Sequence, residues 1–278
     1  MGRLFVTGDT HGGLDMSKLN SRHFKCDGLT KDDILVIMGD AGFVWCDSAT
    51  ERFWQKFLND KPWTTFCVLG NHENYDAIEQ LPTTTFGGEM CWKVSDSIYY
   101  AMSGKVYNLC GKNCLVVNGA DSHDIFVDGK RYRTPHVSWW EQEQITEEDI
   151  EVAKANLKKY NNTVDFVFTH TCPICWEPRD LFLNSIDQSQ VDKSMELFLE
   201  EIAKCFNWKI WCFGHFHTDR IERPYVEQFY RDTEDIDELW MRWENYSKTN
   251  ELDWWLEKSP NFHMTDYLLE DKINNENV

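Results

Sequence analysis

Eight side chains of metal-binding type stand in five short polar clusters along the chain. Asp9 and His11 lie in Gly8-Asp9-Thr10-His11-Gly12, and Asp40 in Gly39-Asp40-Ala41-Gly42. Asn71 and His72 lie in Gly70-Asn71-His72-Glu73, His170 follows Thr169, and His215 and His217 lie in Gly214-His215-Phe216-His217. Carboxylate, amide oxygen and imidazole are hard to borderline donors suited to Mn, Fe, Zn, Ni or Mg, and no thiolate in the set forces softer chemistry. Two such ions roughly 3.5–4 Å apart polarise a phosphoryl oxygen and activate water at neutral pH. Taken singly, each cluster is weak: an Asp-x-His turn is ordinarily solvated, and a histidine after a strand is ordinarily a hydrogen-bonded loop residue. Five in order, each behind an apolar run, make one shared site the better account.

Those runs are Leu4 to Val6, Ile34 to Met38, Phe66 to Leu69, Phe166 to Phe168 and Ile210 to Phe213. Each is short, apolar and closed by glycine or a polar turn, as a buried strand is. Ligands of α/β sheets gather beyond the carboxyl ends of strands, where loops bring distant side chains together. Helical spacing marks Glu51 to Asn59 with Phe53, Trp54, Phe57 and Leu58 on one face, and Val191 to Phe206 with Met195, Phe198, Leu199 and Ile202 in a stripe. Thr146 with Asp149 forms a capping-box pattern opening a helix to about Tyr160. Ile98 to Ala101, Val106-Tyr107 and Leu115 to Val117 read as short strands of a second sheet.

The ordered blocks Asp9-x-His11, Gly39-Asp40, Gly70-Asn71-His72-Glu73, His170 and Gly214-His215-x-His217 resemble the signature of the calcineurin-like metallophosphoesterases, from about Leu4 to about Arg220. The resemblance implies an α/β fold: a β-sandwich of two mixed sheets flanked by helices in four layers, with a dinuclear centre at one edge. It implies that Asp9, His11 and His217 hold one metal, that Asn71, His170 and His215 hold the other, and that Asp40 bridges them. It implies that His72 contacts the scissile phosphate and assists the leaving group. Two divalent ions are expected, manganese first, with Fe, Zn, Ni or Mg as alternatives.

The protein phosphatase branch of that superfamily continues its second block as Gly-Asp-x-x-Asp-Arg-Gly. Here Phe43 and Val44 occupy the places of the histidine-orienting Asp and the phosphate-holding Arg. The stretch Ala120-Asp121-Ser122-His123-Asp124, with Tyr132-Arg133 and Ser138-Trp139-Trp140, resembles instead a bacterial and phage branch. Arg133, in the locally basic run Lys130-Arg131-Tyr132-Arg133, is the expected substitute cation for substrate phosphate; the alternative is a solvated loop residue. A small phosphodiester or nucleotide is the favoured substrate. A phosphomonoesterase or protein phosphatase is the alternative, and a non-catalytic metal-binding scaffold a further one, although a scaffold has no reason to keep all eight groups.

With 278 residues the chain is expected to form a single domain over 1–278, with about 225–278 an aromatic, acidic helical extension. In that extension Ile236, Leu239, Trp240, Trp243 and Tyr246 recur at helical spacing, followed by Trp254-Trp255. Packing on the sandwich is the first reading of this stripe; a homo-oligomer contact or an aromatic lid is the alternative. The formal charge of −19 argues against a broad nucleic-acid-binding face, which needs clustered Lys and Arg. No apolar stretch has membrane-spanning length, and no basic segment leads into an apolar one at the start. Ten cysteines without such a leader fit a reducing, cytoplasmic setting. Cys172-Pro173-Ile174-Cys175 lacks a second pair at zinc-finger spacing and reads as a loop leaving the strand before His170.

Overall fold

All five apolar runs that precede the polar clusters are strands, buried on both faces. The computed structural model describes residues 2–127, 130–183, 186–249 and 262–264. In chain order the elements begin with β1 (Leu4–Thr7), β2 (Ile34–Ile37), α1 (Ala49–Asn59), β3 (Thr64–Cys67), α2 (Tyr75–Glu79), β4 (Thr83–Phe86), β5 (Glu89–Ser95) and β6 (Ile98–Ala101). There follow β7 (Lys105–Leu109), β8 (Lys112–Val117), β9 (Phe126–Val127), β10 (Lys130–Arg131), α3 (Glu147–Lys159), β11 (Phe166–Thr169), α4 (Ser194–Cys205) and β12 (Ile210–Phe213). The last are β13 (Asp219–Arg223), β14 (Val226–Gln228), β15 (Thr233–Asp235), α5 (Ile236–Thr249) and β16 (Phe262–Met264).

Two mixed sheets result, ordered β15-β1-β2-β3-β6-β5-β4 and β16-β13-β14-β12-β11-β8-β7. At the heart of each the strands are parallel: β1, β2 and β3 in the first sheet, β8, β11 and β12 in the second. Alternation along each strand then builds the layers. Leu4, Val6, Val36 and Phe66 face Cys114, Val116, Phe166, Phe168 and Cys212 in the core between the sheets. Phe5, Leu35, Ile37 and Cys67 turn to the outer side, where Leu58 of α1 covers them. On the far side Leu115, Val167, Trp211 and Phe213 pack against Ala153 and Leu157 of α3 and Met195, Phe198, Leu199 and Ile202 of α4. This is the four-layer α/β sandwich expected from the resemblance.

Three expectations are corrected. Ile98–Ala101 belongs to the first sheet, pairing parallel with β3, because it closes the hairpin with β5 on that sheet's edge. The α1 helix begins at Ala49 under a capping box in which Ser48 and Glu51 exchange bonds, and Phe53 is exposed rather than on the packing face. The segment from 225 is not helical throughout: β14 and β15 add to the two sheets before α5 begins, since the chain must return across both sheets to reach the edge beside β1.

Ile236, Leu239 and Trp243 of α5 insert into the core between the sheets. Each fully buried side chain of this size contributes about 1.5–3 kcal/mol. Arg242, fully buried, donates from Nη2 to Glu227 (2.8 Å) and Glu234 (2.7 Å), while Trp243 Nε1 donates to Glu227 (2.6 Å). Trp254-Trp255 lies outside the described residues. Among the described residues, no helix is long and apolar enough to cross a membrane.

Candidate metal centre

The loops after β1, β2 and β3 of one sheet and after β11 and β12 of the other converge, because parallel strands end their chains on the same side. All eight residues singled out from the sequence meet there. Asp40 presents one oxygen to each half of the centre: Oδ2 lies 3.4 Å from His11 Nε2, and Oδ1 lies 3.4 Å from His170 Nε2. Around the first half stand Asp9 Oδ2, 3.3 Å from His217 Nε2 and 4.0 Å from His11 Nε2. Around the second, His170 Nε2 lies 3.1 Å from Asn71 Oδ1 and 3.2 Å from His215 Nδ1.

The donor chemistry fits cations. His170 Nδ1 donates to the Met38 carbonyl (2.7 Å), so in the neutral ring its Nε2 offers a lone pair to three other electron-rich atoms. His11 Nδ1 donates to Asp15 Oδ2 (3.0 Å), and its Nε2 likewise points a lone pair at Asp9 and Asp40. Asp9 Oδ2 is buried without a hydrogen bond. Lone pairs converging from all sides repel unless positive charge sits among them. The groups Asp9, His11, His217 and Asp9, Asp40, His170 each bring their donor atoms within 4.8 Å of one another.

Titration expresses the same field. Burial alone would lower His170 and His11, but Asp40 and Asp9 outweigh it and push both up to about 9. Burial would raise Asp40, yet His170 and His11 hold it well below the usual carboxylate range. Burial, reinforced by His170, holds His215 well below the ordinary histidine value.

The local backbone is bent to make this convergence. His11, Asp40, His215 and His217 all adopt positive φ (42°, 48°, 71° and 53°), a region non-glycine residues enter at a cost where function requires it. At Gly70 a Cβ would lie 2.1 Å from Asp40 Oδ1 and 2.7 Å from His170 Nε2, so only glycine lets the β3 loop pass this close.

Several supporting groups were not visible in the sequence pattern. Asn71 Nδ2 donates to Ser122 Oγ (3.2 Å), and Ser122 donates to Glu143 Oε2 (2.5 Å); this buried relay turns the Asn71 oxygen inward. Buried Lys18 donates to the carbonyls of Gly8 (2.8 Å), Asp9 (2.7 Å) and Tyr230, fixing the β1 loop. Glu73 accepts from the Ala41 amide (2.6 Å) and clamps the loop carrying Asp40. The sequence cues were Ser122, within the Ala120–Asp124 stretch, and Glu73, the last residue of the Gly70–Glu73 block.

His72 has its backbone N–H on Asp40 Oδ1 (2.7 Å) and its ring against Arg133. Burial first, then the Arg133 charge, lower its pKa against the pull of Asp40. Arg133 stands beside the His72 ring, gripped by Asp124. A cleft of about 370 Å³ opens beside Asp40, Asn71 and His72, walled by Leu181, Phe182, Ile186 and Phe216.

This fold and site define a metallophosphoesterase. The chain belongs to the calcineurin-like phosphoesterase family, whose model matches residues 2–219. It is a metal-dependent phosphoric ester hydrolase. A comparison with curated proteins returned no match. Among solved structures, phosphopantetheinyl hydrolase from Mycobacterium tuberculosis is similar with a TM-score of 0.39 at 13% identity, covering 83% of this chain and 90% of that one. A likeness of that size carries no argument about activity.

Proposed function

We propose that this enzyme hydrolyses a small phosphodiester, nucleotide-type esters included, using two divalent ions with manganese as the first choice. The observation that carries the substrate class is the state of the cations around the centre. Arg133 is paired with Asp124, and Lys193, which lines the cleft, is paired with Glu177 at 2.6 Å. A dianionic monoester finds these charges already matched, whereas a monoanionic diester needs less positive charge beyond the ions. The cleft has the size of a pocket for a small organic group, and its apolar wall favours the non-phosphate part of such an ester.

Bound divalent ions supply polarisation of the phosphoryl oxygens and activation of water. The chain's own residues orient and move protons. Asp15 and the Met38 carbonyl fix the tautomers of His11 and His170, and the Ser122 relay fixes the Asn71 amide. Arg133 holds the His72 ring, Nη1 standing 3.3 Å from Nδ1 and Nη2 3.5 Å from Nε2, and that ring gives the proton to the leaving oxygen.

The test is a comparison of bis(4-nitrophenyl) phosphate with 4-nitrophenyl phosphate, and of both with a phosphopeptide, in added Mn²⁺. We expect higher kcat/KM for the diester and little action on the phosphopeptide. Equal or better turnover of the monoester would move the reading to a phosphomonoesterase.

A further inference from the structure

The protein phosphatase signature orients its catalytic histidine with an aspartate, and Phe43 stands in that place here, buried and apolar. Among the described residues, no carboxylate is hydrogen-bonded to the His72 ring. Its ring nitrogens face instead the two terminal nitrogens of one guanidinium: Arg133 Nη1 lies 3.3 Å from Nδ1, and Nη2 lies 3.5 Å from Nε2.

That guanidinium is itself immobilised. Nε donates to Asp124 Oδ1 (2.5 Å), Nη2 to Asp124 Oδ2 (2.8 Å) and Nη1 to the Ser138 carbonyl (2.9 Å), and the side chain is only 12% exposed. The Nε/Nη2 edge, one of the two with which arginine grips a phosphate, is thus already filled by a carboxylate. What remains of its donor capacity is turned toward His72. We propose that Asp124 and Arg133 form the positioning unit of His72, Asp124 holding the guanidinium and Arg133 holding the imidazole, a role that the phosphatase signature gives to one aspartate. The inference rests on the reading of His72 as the leaving-group residue.

Physically, the unit removes the freedom of a side chain that otherwise hops among rotamers. A group acting in this way contributes to turnover rather than to binding, because it works only when the leaving oxygen accepts the proton. Arg133 and His72 therefore form one functional unit, and the loss of either removes the same contribution.

The experiment compares Arg133→Ala, Asp124→Asn, His72→Ala and the double variant His72→Ala/Arg133→Ala at saturating Mn²⁺, on aryl phosphodiesters spanning low to high leaving-group pKa. Positioning predicts that Arg133→Ala lowers kcat about tenfold or more on the poorest leaving group, with KM within about threefold of wild type. The loss shrinks on the nitrophenyl ester, and the double variant is no slower than His72→Ala alone. Asp124→Asn, which preserves volume, shows the same pattern more weakly and carries the test if Arg133→Ala does not fold. A raised KM with kcat unchanged, or losses that multiply in the double variant, would overturn the proposal and make Arg133 a phosphate contact. Uniform losses across leaving groups in His72→Ala would instead sink the leaving-group role of His72. The coupling between the two residues is still read from the double variant on any hydrolysed ester.

Discussion

Ser122→Ala should weaken the hold on divalent ions while leaving the catalytic groups in place. In the wild type, Ser122 accepts from Asn71 Nδ2 at 3.2 Å and donates to Glu143, and this directs Asn71 Oδ1 toward His170 Nε2 at 3.1 Å. Without the hydroxyl, nothing distinguishes the two faces of the amide except His170. In the metal-free protein the amide has then lost the hydrogen bond that held its Nδ2 outward and its oxygen toward the centre. Metal binding must fix that orientation without the bond to Ser122, a loss of roughly one buried hydrogen bond, about 1–1.5 kcal/mol. That corresponds to affinity about tenfold weaker, the lower end of what supporting groups at metal sites contribute. The Mn²⁺ activation curve measures this: its midpoint should move up about tenfold, with kcat at saturation near that of wild type. Calorimetric titration of the stripped protein should give the same shift. A midpoint within about twofold of wild type would refute the reasoning, and the Asn71 orientation would then have to come from His170 alone.

Asp40 offers one oxygen to each half of the centre, so Asp40→Asn should abolish paired metal binding and nearly all turnover while the fold survives; elemental analysis beside an activity assay decides this, and a fully loaded, active variant contradicts it. His11 and His170 have pKa values raised from 6.5 to about 9, so the stability their protons give the stripped protein is full below about pH 6.5 and lost as pH rises through about 9. The gap in Tm between Mn²⁺-loaded and chelator-treated protein should therefore widen from pH 6.5 to 9; a gap independent of pH would refute the assignment of these nitrogens to the cations. Arg242→Ala leaves Glu227 and Glu234 buried without their cation and should cost about 3–5 kcal/mol by denaturant unfolding, whereas a loss under 1 kcal/mol would show that α5 is not locked into the core.

The sequence announced the five ligand loops because each pairs a local signal, an apolar run, with a polar turn of specific chemistry. Burial on both faces made those runs continuous rather than alternating, which is why they were readable as strands. Sheet membership was not readable in the same way: Ile98–Ala101 is apolar whichever sheet it joins, and only its hairpin partner Glu89–Ser95 decides. The strands Val226–Gln228 and Thr233–Asp235 were hidden because their polar residues are buried against a cation of the following helix, Glu227 and Glu234 by Arg242. The supporting groups were invisible for the same reason. Lys18 and Glu143 carry ordinary surface residue types, and their roles arise from contacts made only in the folded chain, with Tyr230 and with Ser122. Arg133 could be suspected as a nearby cation, but the Asp124 that occupies its fork lies in a separate turn.

β1 precedes every other strand described, yet it is among the last to be completed. β1 leads into Asp9 and His11, yet one of its edges is closed by Thr233–Asp235, with Thr7 Oγ1 donating to the Asp232 carbonyl at 2.8 Å. During synthesis, then, this strand leaves the ribosome with an open edge and waits through more than two hundred residues for its neighbour. An unpaired apolar edge is where chains join one another wrongly, so the nascent protein passes through a long interval of exposure to aggregation. The metal centre inherits the delay, since His215 and His217 also come late. A chain broken off before Thr233 holds neither a sealed first sheet nor a finished core. Ion capture by the full ligand set waits for His217, the last of these residues in the chain.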